Sequence, residues 1–266
     1  MSRIFTSALS LLLVLALSTF AMADNAAKEA KAKVRDLAKN AQMVKLSDKA
    51  LDGAAEVDLF KAIEDDQIEV GVIQGAMKGG KLFIKNKTDK PLSVRIPKAF
   101  GTRPVMGQDM GMGGGNQLMG GNGMGMGGGM GMGGGMMGGF QNIPAEKVTA
   151  VKYQSVCLEY GKPEPNANIA YEICPIEECT QKPEVIHLVE SLDSVNLRSA
   201  QFAAWHMNSG TPVEHLATET VLHANGVRST NFSRQEVQQG LQLIQMSRAA
   251  VAEKIQVETS SSSTGY

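Results

Sequence analysis

The segment from residue 106 to residue 140 constrains the fold of this chain more than any other feature. It is almost entirely glycine and methionine: 19 of the chain's 29 glycines lie between Gly101 and Gly139, and ten of its 16 methionines lie between Met106 and Met137. Glycine loses more backbone entropy on ordering than any other residue and brings no side chain to a core. We therefore expect a disordered insertion here, within a β domain whose strands lie on both sides of it.

The first 23 residues have the features of a cleaved signal peptide. Arg3 precedes an apolar run from Ile4 to Leu17, and the small residues Ala21 and Ala23 lie before the expected cleavage point. The run is short for a membrane span, and no later segment is continuously apolar. These patterns predict an exported protein of the periplasm or the extracellular space, with no membrane span. The formal net charge of −1, without a clustered basic segment, argues against nucleic acid as a partner.

The next part of the chain has helical and then strand patterns. Residues 24–66 are rich in alanine and lysine at their start and predict a helical or partly disordered lead-in. Strand patterns follow within residues 67–182, at 67–73, 81–86, 92–96, 147–160 and 169–173. Five or so short strands with polar turns predict a small antiparallel sandwich or barrel. The polar cluster at 86–91 predicts a hairpin between the second and third strands.

That turn also carries a resemblance. Residues 84–88, Ile-Lys-Asn-Lys-Thr, followed by Pro91 and Leu92, resemble hairpins in immunoglobulin-like domains of exported bacterial proteins. The resemblance implies that the β domain is an immunoglobulin-like sandwich. It implies no activity.

From residue 183 to residue 257 the apolar residues recur with the spacing of α-helices. Helices are predicted at 183–193 and 195–208, the second ending at Gly210. Capping boxes at 211–214 and 233–236 predict two further helices, the first ending at Asn225-Gly226. The last helix has one apolar stripe, made by Val237, Leu241, Ile244, Val251 and Ile255. Residues 258–266 have the composition of a disordered tail, and the overall class is α+β with a C-terminal helical unit.

The methionines of the insertion repeat a Met-x-Met spacing. Thioether sulfur is a soft ligand that selects Cu(I), and the spacing resembles the methionine motifs of bacterial copper-handling proteins. The resemblance implies Cu(I) ligands at Met110, Met112, Met124, Met126, Met130, Met132 and Met136. The insertion contains neither histidine nor cysteine. The alternative is a flexible loop whose methionines bind no metal, so that the protein has no cofactor.

The three cysteines, Cys157, Cys174 and Cys179, belong to a chain predicted to be exported, where thiols normally pair. An odd number leaves one unpaired. Cys174 with Cys179 closes a short Pro-Ile-Glu-Glu loop, whereas Cys157 with Cys174 ties neighbouring strands. The sequence leaves both pairings open.

Gln201 falls on the apolar stripe of its predicted helix, so its amide faces the core. The ordinary way to satisfy a buried amide is hydrogen bonding to backbone groups. A second way comes from a resemblance: Val156-Cys157-Leu158 on a strand and the run from Ala200 to Trp205 on a helix resemble the two motifs of bacterial surface thioester domains. That resemblance implies a bond between the Cys157 sulfur and the Gln201 acyl group, which would capture a nucleophile on a target surface.

The stretch from Val156-Cys157-Leu158 through Trp205-His206 also resembles a family of small exported bacterial proteins of unknown function, several with a Gly-rich or Met-rich insertion. This resemblance implies a shared fold and export, but no reaction. No nucleophile-elbow or phosphate-cradling motif is present in the sequence. We therefore expect a non-enzymatic exported protein that binds a protein or cell-surface partner or has a structural role.

Overall fold

The computed structural model describes residues 25–42, 53–75, 79–105, 117–123, 139–165 and 169–262. The predicted signal peptide lies outside these residues. The strands are β1 (Ala41–Gln42), β2 (Ala55–Asp58), β3 (Ile68–Gln74), β4 (Gly80–Asn86), β5 (Leu92–Arg95), β6 (Ala99–Pro104), β7 (Met119–Asn122), β8 (Phe140–Ile143), β9 (Val148–Cys157), β10 (Tyr171–Cys174), β11 (Thr220–Leu222) and β12 (Arg228–Thr230). The helices are α1 (25–40), α2 (Leu59–Glu64), α3 (Pro183–Glu190), α4 (Leu197–Ser209), α5 (Val213–Thr218) and α6 (Arg234–Ser262).

The β domain is a closed barrel of six antiparallel strands, so the predicted immunoglobulin-like sandwich is wrong while the α+β class is right. The strands follow one another around the barrel in the order β9-β4-β3-β10-β6-β7, and β7 pairs again with β9. The long strand β9 makes this closure: residues 148–153 pair with β4 and residues 154–157 pair with β7. One strand with a different neighbour along each half joins the two edges that a sandwich would leave open.

The strand β7 lies inside the segment predicted to be a disordered insertion. Residues 117–123 of that segment therefore contradict the prediction, and Phe140 begins β8. The glycines of β7 allow close packing: a Cβ at Gly120 would lie 2.6 Å from Val189, and one at Gly121 would lie 2.6 Å from the Phe100 ring. Glycine in a strand marks a place where another group approaches the backbone closely, which composition alone did not distinguish from flexibility.

Strands predicted at 67–73, 81–86 and 92–96 are confirmed, but the predicted hairpin between the last two is wrong. Instead, β4 pairs with β3 and β9, whereas β5 lies in a separate three-stranded sheet with β2 and β8. Asn86 directs this exit from the barrel, since its Nδ2 donates to the carbonyl oxygens of Lys90 (2.7 Å) and Ile143 (3.1 Å). The turn is present, but it joins two different sheets.

The described part of the lead-in, residues 25–42 and 53–66, forms the ordered elements α1, β1, β2 and α2, and α1 agrees with the predicted helix. Helix α1 packs Val34 and Leu37 against Phe83 and Val148 on the outer face of the barrel. After β2, Asp58 caps the N-terminus of α2, since its carboxylate accepts from the N–H of Phe60. Burial of α2 residues in the main core explains this order, because tertiary packing overrides weak local patterns.

The helical unit agrees with the sequence at two termini. Gly210 ends α4 in the left-handed conformation (φ 71°). The capping box before α6 forms as predicted: the Glu236 carboxylate accepts from the Ser233 N–H at 2.7 Å, and the Ser233 hydroxyl accepts from the Glu236 N–H at 3.2 Å. Helices α3, α4 and α6 share the main core with the barrel.

Two other helix predictions are wrong. Helix α5 has no side-chain cap and stops at Thr218, and the chain then forms the hairpin β11–β12 around Asn225-Gly226. An Asn-Gly pair ends helices but also forms two-residue hairpin turns, and the β-branched residues around it favour the hairpin. Helix α6 runs to Ser262, five residues into the predicted tail.

The apolar stripe of α6 is also shifted from the predicted one. Leu241 and Ile255 are exposed, whereas Gly240, Leu243, Ile244 and Ser247 lie nearer the core. A Cβ at Gly240 would lie 2.6 Å from Phe202, so the missing side chain sets how closely α6 approaches α4. Within the described residues, no helix combines the length and apolar character that a membrane crossing requires.

Candidate functional site

The structure brings Cys157 and Gln201 together through the backbone of the cysteine. The Gln201 Nε2 donates to the Cys157 carbonyl oxygen at 2.8 Å, and the Cys157 N–H donates to the Gln201 Oε1 at 2.7 Å. Both residues are fully buried. The carboxamide therefore uses its two ends as a backbone peptide group would, which is the ordinary solution expected for a buried glutamine.

The strand topology explains why these backbone groups need a side-chain partner. The Leu158 N–H donates toward β7, to the Leu118 oxygen at 2.9 Å, so the groups of Cys157 face the opposite side of the strand. On that side the neighbouring strand is β4, whose first residue, Gly80, pairs with Tyr153, so β4 does not extend alongside residues 154–157. Gln201 thus fills the ladder position that β4 leaves open.

Two further polar residues of α4 dock the helix on the end of β9. Asn208, seven residues or about two turns after Gln201, donates through Nδ2 to the Leu158 oxygen at 2.7 Å. The Ser209 hydroxyl donates to the same oxygen at 3.1 Å and accepts from the Tyr160 N–H at 2.9 Å. Sequence analysis missed this role of Asn208, although its spacing from Gln201 places both on one face of the helix.

The Cys157 thiol lies on the inner face of the barrel wall. It pairs in register with Met119, and the alternate β9 residues Tyr153 and Ser155 are buried on the same side, whereas Lys152 is exposed. Burial raises the pKa of Cys157 to about 12, and Glu164 acts in the same direction. The sulfur is therefore a neutral thiol near pH 7, a poor nucleophile toward an amide.

The other two cysteines meet on the outside of the barrel wall. Cys174 ends β10, a short 3-10 turn (Ile176–Glu178) follows, and Cys179 comes directly after it. The two sulfur atoms are 3.4 Å apart, and both residues are buried. Both are free thiols in this structure. The structure thus places together one of the two pairs that the sequence left open.

Charged residues surround this pair. The Arg103 Nε donates to Glu172 at 2.7 Å, and its guanidinium also pairs with Glu178. The pKa of Cys174 is below its ordinary value, first because Cys179 donates a hydrogen bond to its sulfur and then because of Arg103; burial opposes the shift. The pKa of Cys179 is raised, because this thiol keeps its proton as the donor to Cys174. Sequence analysis missed Arg103.

The hairpin of β11 and β12 exposes three large apolar side chains, and we call residues 220–230 the hairpin surface. All six strand residues are exposed. Val221, Leu222 and Val227 keep 41%, 58% and 55% of their surface accessible. Consecutive strand residues point to opposite faces, so Val221 and Val227 lie on one face of the hairpin and Leu222 on the other. Exposed apolar side chains on a preformed hairpin are available for contact with a partner.

Glu219 fixes the base of this hairpin. Its carboxylate accepts from the Tyr160 hydroxyl at 2.7 Å and from the Asn231 Nδ2 at 2.8 Å, and its carbonyl oxygen accepts from the Asn231 N–H at 2.8 Å. The Tyr160 hydroxyl also meets the His215 Nε2 at 2.9 Å. Burial, followed by Glu219, raises the pKa of Tyr160 to about 12, so this phenol keeps its proton near neutral pH. The cluster therefore holds the hairpin by hydrogen bonds.

Four polar side chains in the barrel interior hydrogen-bond to one another. The Gln74 Nε2 donates to the Ser155 hydroxyl at 2.9 Å, and the Gln74 Oε1 accepts from the Thr102 hydroxyl at 2.9 Å and from the Tyr153 hydroxyl. Burial raises the pKa of Tyr153. A buried group whose polar atoms are paired in this way has a structural role.

The seven candidate copper ligands, Met110, Met112, Met124, Met126, Met130, Met132 and Met136, lie outside the described residues. In the sequence they fall within residues 106–116 and 124–138, before and after β7. Among the residues the structure describes, no three histidine, cysteine or carboxylate side chains group as metal ligands would.

Comparisons of this chain with protein-family models, with curated proteins and with solved structures gave no match.

Proposed function

We propose that this chain is an exported, non-catalytic binding protein that contacts another protein or a cell-surface partner through the hairpin surface. The observation that carries this proposal is the exposure of all six residues of β11 and β12 together with three large apolar side chains. A signal-peptide pattern in residues 1–23 supports export.

A two-stranded hairpin is marginally stable in water unless something holds it. Here the hairpin has its own supports: the His223 N–H donates to the Val227 oxygen at 2.9 Å, and the Val227 N–H donates to the Asn225 Oδ1 at 3.1 Å. Glu219 and Asn231 lock its base. A preformed surface loses little conformational entropy when a partner binds, which favours affinity.

The hairpin also offers backbone groups. Within the described part of the chain, β11 and β12 pair only with each other, so each has a free edge. An extended segment of a partner can add to such an edge, with the exposed valine and leucine side chains giving apolar contact. We therefore expect a partner with an extended apolar segment.

The test uses the mature protein and isolated envelope material from the source organism. A triple variant, Val221→Ser with Leu222→Ser and Val227→Ser, should weaken saturable binding at least tenfold. The matched control changes three similarly exposed apolar residues of α6 to serine: Met246, Ile255 and Val257. Equal isotherms for wild type and the hairpin variant, or loss of binding in the control alone, would contradict the proposal. Light scattering on the same proteins identifies a second copy as the partner if a dimer disappears with the hairpin variant.

Copper binding through the methionine segments is a rival function, supported by the Met-x-Met spacing. Its test replaces the methionines of 106–116 and 124–138 with serine while Met119 is kept, because Met119 is a fully buried residue of β7. If copper is the ligand, the variant loses Cu(I) in competition with a Cu(I) chelator, and the hairpin variant retains it. Unchanged Cu(I) affinity removes this function.

A covalent binder with a Cys157–Gln201 thioester is the other rival, supported by the two motifs and by the proximity of the residues. The intact mass of the exported protein distinguishes it. A mass lower by one ammonia, restored with an added methylamine after incubation, establishes the bond. A mass that signal cleavage and disulfide formation explain leaves Gln201 as a hydrogen-bonding residue.

A further inference from the structure

We propose that Cys174 and Cys179 become a disulfide after export and that Cys157 stays an unpaired thiol. This inference is independent of the binding surface. Its first support is position: the 3-10 turn between the two cysteines returns the chain so that their sulfurs lie 3.4 Å apart. Bond formation needs only a small further approach, since a disulfide S–S distance is about 2 Å.

The barrel wall separates these sulfurs from the third. Cys174 lies across the ladder from Gly101, and the space above Gly101 is occupied by the sulfurs of Cys174 and Cys179 on the outer face. Cys157 pairs with Met119 on the inner face. A Cys157–Cys174 bond would have to pass through the sheet, so the geometry excludes the other pairing that the sequence allowed.

Gly101 makes room for the pair. A Cβ at this position would lie 2.4 Å from the Cys179 sulfur and 2.9 Å from the Cys174 sulfur, both shorter than real contacts. The neighbouring ion pairs of Arg103 with Glu172 and Glu178 span the same turn. The folded chain therefore holds the two thiols next to each other before oxidation.

The chemistry needs an oxidant, which we take to be a protein disulfide of the thiol-oxidase class that acts on exported proteins. Cys174, whose pKa is lowered, attacks the oxidant's disulfide as a thiolate and forms a mixed disulfide with it. Cys179 then gives up its proton, and its thiolate attacks the Cys174 sulfur and displaces the oxidant's sulfur. Two S–H bonds break and one S–S bond forms; the electron pair reduces the oxidant to its dithiol, which takes up the two protons.

Peptide mapping of the exported full chain tests the proposal. The protein is unfolded in denaturant, alkylated without reduction and cleaved after glutamate, which puts the three cysteines on separate peptides because Glu159, Glu172 and Glu178 lie between them. We expect the Cys174 and Cys179 peptides joined, two hydrogens lighter than their sum, and Cys157 alkylated. A Cys157–Cys174 link, or alkylation of all three, overturns the proposal.

Two glycine variants make the test specific to the site. Gly101 and Gly120 are cross-strand partners, and a Cβ at either meets a neighbour, the sulfurs in one case and Val189 in the other. Gly101→Ala should slow oxidation of the cysteine pair at least tenfold, because the added methyl group pushes the two sulfurs apart. In Gly120→Ala the pair should oxidise at the wild-type rate.

A third variant covers the case in which Gly101→Ala fails to fold. The Cys157→Ser variant should still form the Cys174–Cys179 disulfide after export, which lowers its mass by two hydrogens. If this variant keeps two alkylatable thiols, the proposed pairing is wrong.

Discussion

Replacing Gln201 by methionine tests the structural role of its amide directly. Methionine keeps most of the side-chain volume but removes both hydrogen bonds to the Cys157 backbone, at 2.7 and 2.8 Å. The N–H and C=O of Cys157 are then left without a partner in a fully buried place. Each unsatisfied buried group costs about 1–3 kcal/mol, so Gln201→Met should lower the free energy of unfolding by about 2–6 kcal/mol.

The variant Gln201→Glu adds a pH signature. When protonated, the introduced carboxyl group donates to the Cys157 oxygen and accepts from its N–H, as glutamine does; when ionised, it sets a charged oxygen against that carbonyl. Its folded-state pKa is therefore raised above the unfolded value of about 4.3. The stabilising contribution is complete below that value and is lost as the pH rises through the folded-state pKa. If the pKa of the carboxyl group rises to about 7, the loss at high pH is about 4 kcal/mol.

Urea unfolding at pH 4.5 and pH 8 provides the measurement, with wild type at each pH as the reference. We expect Gln201→Glu to be near wild type at pH 4.5 and several kcal/mol less stable at pH 8, while the deficit of Gln201→Met stays nearly constant. If Gln201→Met unfolds within about 1 kcal/mol of wild type, or Gln201→Glu shows no extra loss at pH 8, the two hydrogen bonds do not stabilise the fold as we infer.

Three further predictions concern stability. Reducing the proposed Cys174–Cys179 disulfide should lower the free energy of unfolding by about 2 kcal/mol, as expected for a closed loop of about six residues; a urea midpoint unchanged by reductant would contradict this. Asn86→Ala should lower the free energy of unfolding by about 2–4 kcal/mol, because the buried Asn86 amide donates to the carbonyl oxygens of Lys90 and Ile143 at 2.7 and 3.1 Å; calorimetry checks it, and a melting temperature equal to that of wild type would count against it. Ser233→Ala should lose about 1 kcal/mol through the cap of α6, and the urea midpoint should be restored in Ser233→Asp.

Local structure was predictable where a short motif has one solution. The capping box at Ser233 forms as the sequence indicates, and Gly210 ends α4 in the left-handed conformation. Asn225-Gly226 shows the limit, because the same pair serves a helix end and a hairpin turn. The fold used the hairpin, and with it formed the surface on which the proposed function depends.

The candidate sites were predictable only in part. The helical position of Gln201 correctly places its amide in the core, where it hydrogen-bonds to the backbone of Cys157. The thioester that the motif resemblance implies stays a prediction. The amide reaches the Cys157 backbone because β4 does not extend beyond Gly80 along β9, and this is a property of the sheet. The role of Gly101 is likewise invisible in the sequence, since it follows from two sulfurs that the 3-10 turn carries over the strand.

The sequence by itself determined the α+β class, the positions of five of the twelve strands in the described residues, the absence of several enzyme motifs and the residues from which the sites are drawn. These depend on periodicity and composition, which act over a few residues. Only the tertiary structure decided that the sheet closes into a barrel, because one strand, β9, pairs with different neighbours along its two halves. It also decided that Gly120 and Gly121 are close-packed in β7, since the reason for each glycine lies in Val189 and Phe100, far away in the chain.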